Sequence, residues 1–535
     1  MVAWEVQKRK SILEDLQLSL PSQLPGFLAS QRWFGGKARA IHSADLVDII
    51  PVESGRVEAF ILLARMQYTS GLSETYVLPV LAADSAVLEG KAPFLKTLDR
   101  AGNKNLILTD ALGDESVLRS FVDAIEAEAV WPGVRGQIQA HSTNLFRPRL
   151  AGALPPSLMK CEQSNSSINY GDCFILKLFR RLEEGINPDL EIGLFLTEKA
   201  HFRNVPQVAG SLLYRSADGE TTTLGILQEF IPNQNDAWRF SVQALCDFLS
   251  HVSEPFARSP LRGEGLPSDQ EIPAIALARL ASYTEAIELL GKRTAELHLA
   301  LARDPADPAF AAEPYTAAFQ ERFQESAREL TERNFGLLRA RLGEVPSALH
   351  DRAEEILNLQ GEILQRFRPP GGAGNRGMRI RIHGDYHLGQ VLCTGSDFVI
   401  IDFEGEPARS LPERRTKRSP LQDVASMLRS FHYAAYSQLV APTDNAGRPG
   451  GIRDLIPWSE YWYSRVSSHF LSSYLENASC GSFLPPSSEE TAALLQIHLI
   501  EKAVYELGYE LNNRPAWMAI PLAGILRILK QSTGT

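Results

Sequence analysis

The chain has no apolar run approaching the roughly 20 residues a bilayer-spanning helix needs, which argues against a membrane protein. Its start, Met1-Val-Ala-Trp-Glu-Val-Gln-Lys-Arg-Lys10, lacks the apolar core of a signal peptide, so a cytoplasmic address is expected. Cysteine is scarce and odd in number: five residues, at 161, 173, 246, 393 and 480, too scattered for zinc spacing and suited to reduced thiols. A basic excess is also missing. The net charge of -10 and pI near 5.7 argue against a generic nucleic-acid binder. The one dense basic cluster, Arg414-Arg-Thr-Lys-Arg418, reads as a solvated loop, and no internal repeat is visible.

What remains is the composition of a globular protein, 44% hydrophobic and 22% charged. At 535 residues the chain is too long for one ordinary core, so two to four domains or subdomains are expected.

The most informative stretch is Arg381-Ile-His-Gly-Asp-Tyr-His-Leu-Gly-Gln390, followed by Ile400-Ile-Asp-Phe-Glu-Gly-Glu406. The apolar runs Val391-Leu-Cys393 and Phe398-Val-Ile-Ile401, separated by Thr394-Gly-Ser-Asp397, predict two strands and a tight turn. Asp385, Gln390 and Asp402 then have the spacing of a kinase catalytic loop and its metal-binding aspartate. The chemistry explains the pattern. A hydroxyl attacking a γ-phosphate must be oriented and relieved of its proton, which Asp385 can do, while Mg²⁺ on the phosphates wants hard oxygen ligands, which Gln390 and Asp402 offer.

Upstream, Leu46-Val-Asp-Ile-Ile50, Val57-Glu-Ala-Phe-Ile-Leu-Leu63 and Glu74-Thr-Tyr-Val-Leu-Pro-Val80 predict a small antiparallel sheet with one face to bury. In Ser30-Gln-Arg-Trp-Phe-Gly-Gly-Lys-Ala-Arg39, Trp33 and Phe34 read as core anchors beside a glycine turn. A strand from Leu158, a polar turn from Ser164 to Asp172 and a returning strand Cys173–Phe179 would carry Lys177 at the position of a phosphate-holding lysine. Ser164, Ser166 and Ser167 in that turn could cover the phosphates, although the Gly-rich pattern of protein kinases is absent. Asn187-Pro-Asp-Leu-Glu-Ile192 opens a helix on which Glu191 could pair with Lys177. The strand Thr221–Ile231 would end in a hinge whose backbone at Gln228, Glu229 and Phe230 could bind adenine.

From 237 onward the pattern is helical. Asp423, in the first turns of a helix from Ser419, reads as structural. Near the end, Ile497, Ile500, Val504, Leu507 and Leu511 share one helix face, and Lys502, Tyr505, Glu506, Tyr509 and Asn513 another. Rings interleaved with hydrogen-bonding groups suit a sugar.

Taken together, QRWFGGKAR, EQSNSSINYGDCFILKLFRRLEEGINPDLEI, HGDYHLGQVL, DFEGEPARSLPERR and KAVYELGYELNNRPAWMAIPL resemble the bacterial maltokinases, which phosphorylate maltose at its reducing-end C1 hydroxyl with ATP. The resemblance implies an α+β, two-lobed protein-kinase-like fold. It would comprise an N-terminal cap (1–90), an intermediate segment and nucleotide-binding lobe (91–236), and a mainly helical C-lobe (237–535). It implies Asp385 as base, Gln390 and Asp402 as Mg²⁺ ligands and Lys177 on the phosphates. His383, His387, Glu404, Lys502, Tyr505, Glu506, Tyr509, Arg514 and Trp517 are then expected around the acceptor. It further implies a product, maltose 1-phosphate, that feeds α-glucan synthesis, with trehalose synthase as a possible partner. The alternatives are another sugar kinase, such as a glucosamine kinase, and a catalytically silent binding partner of a glucan enzyme.

Overall fold

The computed structural model describes residues 12–14, 16–53, 58–84, 95–98, 105–146, 154–159, 165–256, 266–368, 377–440 and 455–531. The chain forms two compact units, the first made of 1–199 and 206–232 and the second of 200–205 and 233–535.

The first unit opens with helix α1 (Leu24–Ser30) and a sheet built from β1 (Ile41–Val52), β2 (Glu58–Tyr68), β3 (Glu74–Asp84), β4 (Leu95–Leu98) and β5 (Asn105–Asp110). Helix α2 (Glu115–Ala127) follows, then β6 (Val130–Pro132), β7 (Gln137–Ser142), β8 (Pro156–Leu158), β9 (Asn165–Tyr170), β10 (Phe174–Phe179) and β11 (Arg181–Leu182). Helix α3 (Pro188–Leu194) and strands β12 (Val208–Arg215) and β13 (Thr221–Glu229) complete it. The first sheet runs β1-β2-β3-β5-β4 with β11 added beside β3, and the second runs β6-β7-β12-β13-β10-β9-β8.

The expected one-sided sheet is instead buried on both faces. Ile61, Leu63, Val77 and Leu81 join α2 and the second sheet in one core, whereas Phe60, Leu62, Leu78 and Val80 pack with Leu24, Leu28 and Phe34. That is why Ala59–Ala64 is an unbroken apolar run without alternation. Each fully buried leucine here contributes about 1.5–3 kcal/mol. The sheet also continues past residue 90, through β4, β5 and β11. Trp33 and Phe34 are anchors as expected: the Phe34 ring packs against Tyr76 at a 50° tilt, and the Arg180 guanidinium lies 5.0 Å from the Trp33 ring. A Cβ on Gly36 would fall 2.2 Å from Tyr68 Oη, so this close approach needs glycine.

The serine turn is a correction. Asn165–Tyr170 is strand β9, paired with β10 in the register Ser167 to Lys177 and Ser166 to Leu178, and the tight turn is displaced to Gly171–Cys173. Alternation of Ile168 and Tyr170, both buried, drives the strand, which a count of polar residues conceals. Ser164 lies outside the described residues.

The second unit begins with β14 (Asn235–Asp236), α4 (Ala237–Phe256), α5 (Ala274–Leu301), β15 (Glu313–Pro314), α6 (Ala317–Ala340), α7 (His350–Asn358) and α8 (Gln360–Arg366). It continues with β16 (Met378–Arg379), β17 (Val391–Cys393), β18 (Phe398–Ile400), α9 (Leu411–Arg414), α10 (Leu421–Val440), α11 (Ile456–Ala478), α12 (Ser488–Asn513) and α13 (Ala519–Gln531). Helices α5 and α11 cross so closely that a Cβ on Gly291 would sit 2.5 Å from Phe470 O. No described helix is long and apolar enough to cross a membrane.

The basic cluster is not a solvated loop. Lys417 is buried, donating to Pro308 O and Glu313, and Arg418 exchanges backbone hydrogen bonds with Ile380. Burial pushes the Arg418 guanidinium down to about 10.

Candidate active site

In the second unit the stretch 381–390 is a loop held from beneath. Asp423, buried in the first turn of α10, accepts the N–H of His383 (2.8 Å) and of Gly384 (3.0 Å), and its Oδ2 lies 3.2 Å from His298 Nε2. Burial alone would push this carboxyl up; His298, His383 and the Gly384 N–H outweigh it and hold it below the usual range. Gly384 has φ +82°, a conformation L side chains rarely adopt, so the chain can turn there toward Asp385.

His383 is not an acceptor residue. It is 1% exposed, packed at a tilt against Tyr386 and Phe403, with Nε2 on Ile401 O at 2.9 Å, and it ties the loop to the segment carrying Asp402. His387 does face the cavity. Its Nδ1 accepts from Gly389 N (3.1 Å), which leaves the ring proton on Nε2, 4.0 Å from Asp385 Oδ2. Burial holds its pKa below the ordinary histidine value despite the Asp385 charge.

The hairpin β17–β18 forms as expected, with Thr394 N donating to Asp397 O and Asp397 clamping Arg293 of α5 with two bonds of 2.8 Å. Its two ends meet: Ile401 N donates to Gln390 O (3.0 Å) and Gln390 Nε2 to Asp402 Oδ2 (2.8 Å). Asp402 itself takes φ +68°, strain of the kind that persists at functional positions. Glu404 is displaced from its expected place. It does not line the cavity beside Asp385, and its carboxylate lies within 4.8 Å of that of Asp402.

Beside Asp385 is a cavity of about 460 Å³, within the usual size of small-molecule sites. Its walls include Asp385, His387, Lys502, Tyr505, Glu506, Tyr509, Arg514 and Trp517, all expected from sequence. They also include Trp238, Glu406, Tyr433 and Glu510, which were not. The opposite face of α12 is buried through Ile497, Ile500, Val504, Leu507 and Leu511, so the helix presents Lys502, Tyr505 and Tyr509 to the cavity. Tyr433 stacks on Trp517 at 6.3 Å and Tyr505 on Tyr509 at 6.5 Å. Glu406 pairs with Arg409 (2.6 Å), Glu506 with Arg429 (2.6 Å) and Glu510 with Arg514 (2.7 Å).

The first unit holds the lysine. On β10, Leu176 and Leu178 face the core while Lys177 points the other way, and its Nζ lies 3.3 Å from Asp189 Oδ2. Asp189 lies two residues before the expected Glu191 on α3, whose N-cap Asn187 accepts from Asp189 N. Ser166 Oγ accepts from Arg180, and Ser167 is buried. The amides of Glu229 and Phe230 are already donated to Gln207 O and Cys173 O, and Gln228 pairs with Ile175 and Val208 within the sheet. Those two N–H groups are therefore already engaged within the first unit.

A partly exposed loop aspartate at a sugar-sized cavity, an amide and a strained aspartate joined by a hairpin, and a lysine held by a helix carboxylate are the parts of a phosphotransferase of protein-kinase-like fold. Residues 245–451 match the phosphotransferase enzyme family and residues 27–114 the maltokinase N-terminal cap domain, so the chain carries both domains. It is 26% identical over 377 residues to glucosamine kinase of Mycolicibacterium smegmatis, covering 70% of this chain and 79% of that protein. It is 23% identical over 372 residues to glucosamine kinase of Streptacidiphilus jiangxiensis, covering 69% and 72%. A solved glucosamine kinase in complex with glucosamine, ADP and inorganic phosphate shares the fold, with TM-score 0.60, 17% identity and coverage of 94% of this chain and 98% of that one.

Proposed function

We propose that this chain phosphorylates a neutral sugar with ATP, and that the acceptor is maltose at its C1 hydroxyl. The maltose 1-phosphate formed would supply α-glucan synthesis, with trehalose synthase the enzyme that works beside it. In this reading Asp385 orients the attacking hydroxyl and takes its proton, with the Nε2–H of His387 near its carboxylate. Lys177, held by Asp189, binds the α and β phosphates. Gln390 and Asp402, with Glu404 close enough to add an oxygen, are hard donors that fit Mg²⁺. Bound there, the ion would neutralise charge on the transferring phosphate.

One observation carries the choice of acceptor: each of the three cavity glutamates, Glu406, Glu506 and Glu510, is matched by an arginine. Burial pushes the Glu406 carboxyl up, but Arg409 and Lys502 outweigh it and hold it ionised below the usual range. Carboxylates already paired accept sugar hydroxyls well and gain little from an ammonium. The rings of Tyr505, Tyr509 and Trp517 can lie against pyranose faces. A second reading, glucosamine as acceptor, is favoured by the relatives' names and by Asp385, the cavity carboxylate without an arginine or lysine ion pair among the described residues.

Steady-state kinetics of Tyr505→Ala and Trp517→Ala test the assignment of this cavity. The KM for maltose is expected to rise about tenfold, a loss of ~1.4 kcal/mol per variant, with the KM for ATP little changed. Equal losses for sugar and nucleotide would remove the acceptor from this cavity.

A further inference from the structure

Arg429 lies on α10, 2% exposed and outside the cavity lining, with its charge directed at the cavity wall. Its Nε (2.9 Å) and Nη2 (2.6 Å) both donate to the same oxygen, Glu506 Oε2, across 77 positions of sequence. Glu506 lines the cavity, and its Oε1 accepts no bond among the described residues, so that is the oxygen left to a ligand. The guanidinium is fixed from the other sides too. Its Nη1 lies 3.2 Å from His432 Nδ1, and burial together with the Arg429 charge pushes the His432 pKa well below its ordinary value, which keeps the ring a neutral acceptor. On α13, a Cβ on Gly524 would fall 2.2 Å from Nη1, so the absent side chain there is the room Arg429 occupies.

We propose that Arg429 is a specificity-determining positioning residue: by holding one oxygen of Glu506 and cancelling its charge, it makes that wall accept a hydroxyl and not an ammonium. The inference rests on the reading of this cavity as the acceptor site. A buried carboxylate deprived of its partner is costly and is relieved by any cation that reaches it, and an amino sugar brings one. With Arg429 in place the cation is supplied from inside, and the glutamate offers geometry without net charge. Glu510 follows the same scheme at the next turn of α12, but its Arg514 is itself at the cavity surface and half exposed, so that pair can open to a ligand where Arg429 cannot.

The experiment compares the full-length chain with Arg429→Gln, Arg429→Lys, Gly524→Ala and Arg429→Gln/Glu506→Gln. For each, kcat/KM and the dissociation constant from tryptophan fluorescence are measured with maltose, glucose and glucosamine. Arg429→Gln is expected to lower the preference for neutral sugar over glucosamine at least tenfold, through the sugar KM, with the KM for ATP within twofold. The double variant, neutral again at that wall, recovers most of the preference, and Arg429→Lys keeps part of it. Gly524→Ala, which changes no charge but crowds Nη1, shifts the preference the same way. A folded Arg429→Gln with unchanged preference, or a shift that the double variant does not reverse, overturns the proposal. Should Arg429→Gln fail to fold, Arg429→Lys and Gly524→Ala decide by the same criterion, an unchanged preference in both being the contradicting result. If the wild-type chain itself prefers glucosamine, the maltose reading fails alone, because the role of Arg429 is read from the change in preference and not from its starting value.

Discussion

Asp385 is expected to act only because other residues hold its backbone. Asp423 fixes the two amides before it, and His383 fills the space beneath. Asp385→Asn keeps the size and the loop bonds but loses the base, so turnover should fall by about 10²–10⁴-fold while the fold and ATP affinity persist. Turnover near the wild-type value in the folded variant would remove Asp385 from the role. The sequence made Asp385 legible because spacing to Gln390 and Asp402 is a local pattern. It could not separate His383 from His387, two histidines of one motif, since one is turned into the core by Ile401 and Phe403, residues brought there by the hairpin. Arg429 was invisible for a related reason: it reads as an ordinary helix position until Glu506, 77 positions away, is in place.

At the scale of elements, the hairpin β17–β18 is the unit that brings the proposed metal donors together. Its strands were readable as apolar runs about a glycine turn, and its clamp, Asp397 on Arg293, was not, because 104 positions separate the pair. If Gln390 and Asp402 hold Mg²⁺, Gln390→Ala should raise the metal concentration for half-maximal activity a few-fold, and Asp402→Ala should raise it more because it also removes charge. Unchanged Mg²⁺ titrations for both variants would place the metal elsewhere. Strand β9 teaches the opposite lesson. Its serines and asparagines suggest a turn, yet Ile168 and Tyr170 alternate into the core, and burial outweighs the composition. Helix α12 was the clearest element of all, since one face is uniformly aliphatic and the other mixes rings with charge.

Across the whole molecule, a maltokinase cap domain and a phosphotransferase domain occur in one chain whose curated relatives are named glucosamine kinases. The kinase-like fold was legible from motifs spread over the sequence. The choice of acceptor was not, because it depends on which cavity charges are cancelled, and Arg429, which cancels Glu506 from behind the wall, is 77 positions away from it in the chain. The central claim is that this cavity takes a neutral disaccharide. The most direct measurement is ADP release by the full chain with ATP and Mg²⁺ across maltose, glucose, glucosamine, trehalose and kanamycin, with products identified by mass and the phosphorylated position by NMR. The account predicts the highest kcat/KM for maltose, a phosphate on C1, and little turnover of kanamycin. A preference for glucosamine would contradict the acceptor, and no sugar-dependent ADP release at all would contradict the proposed activity.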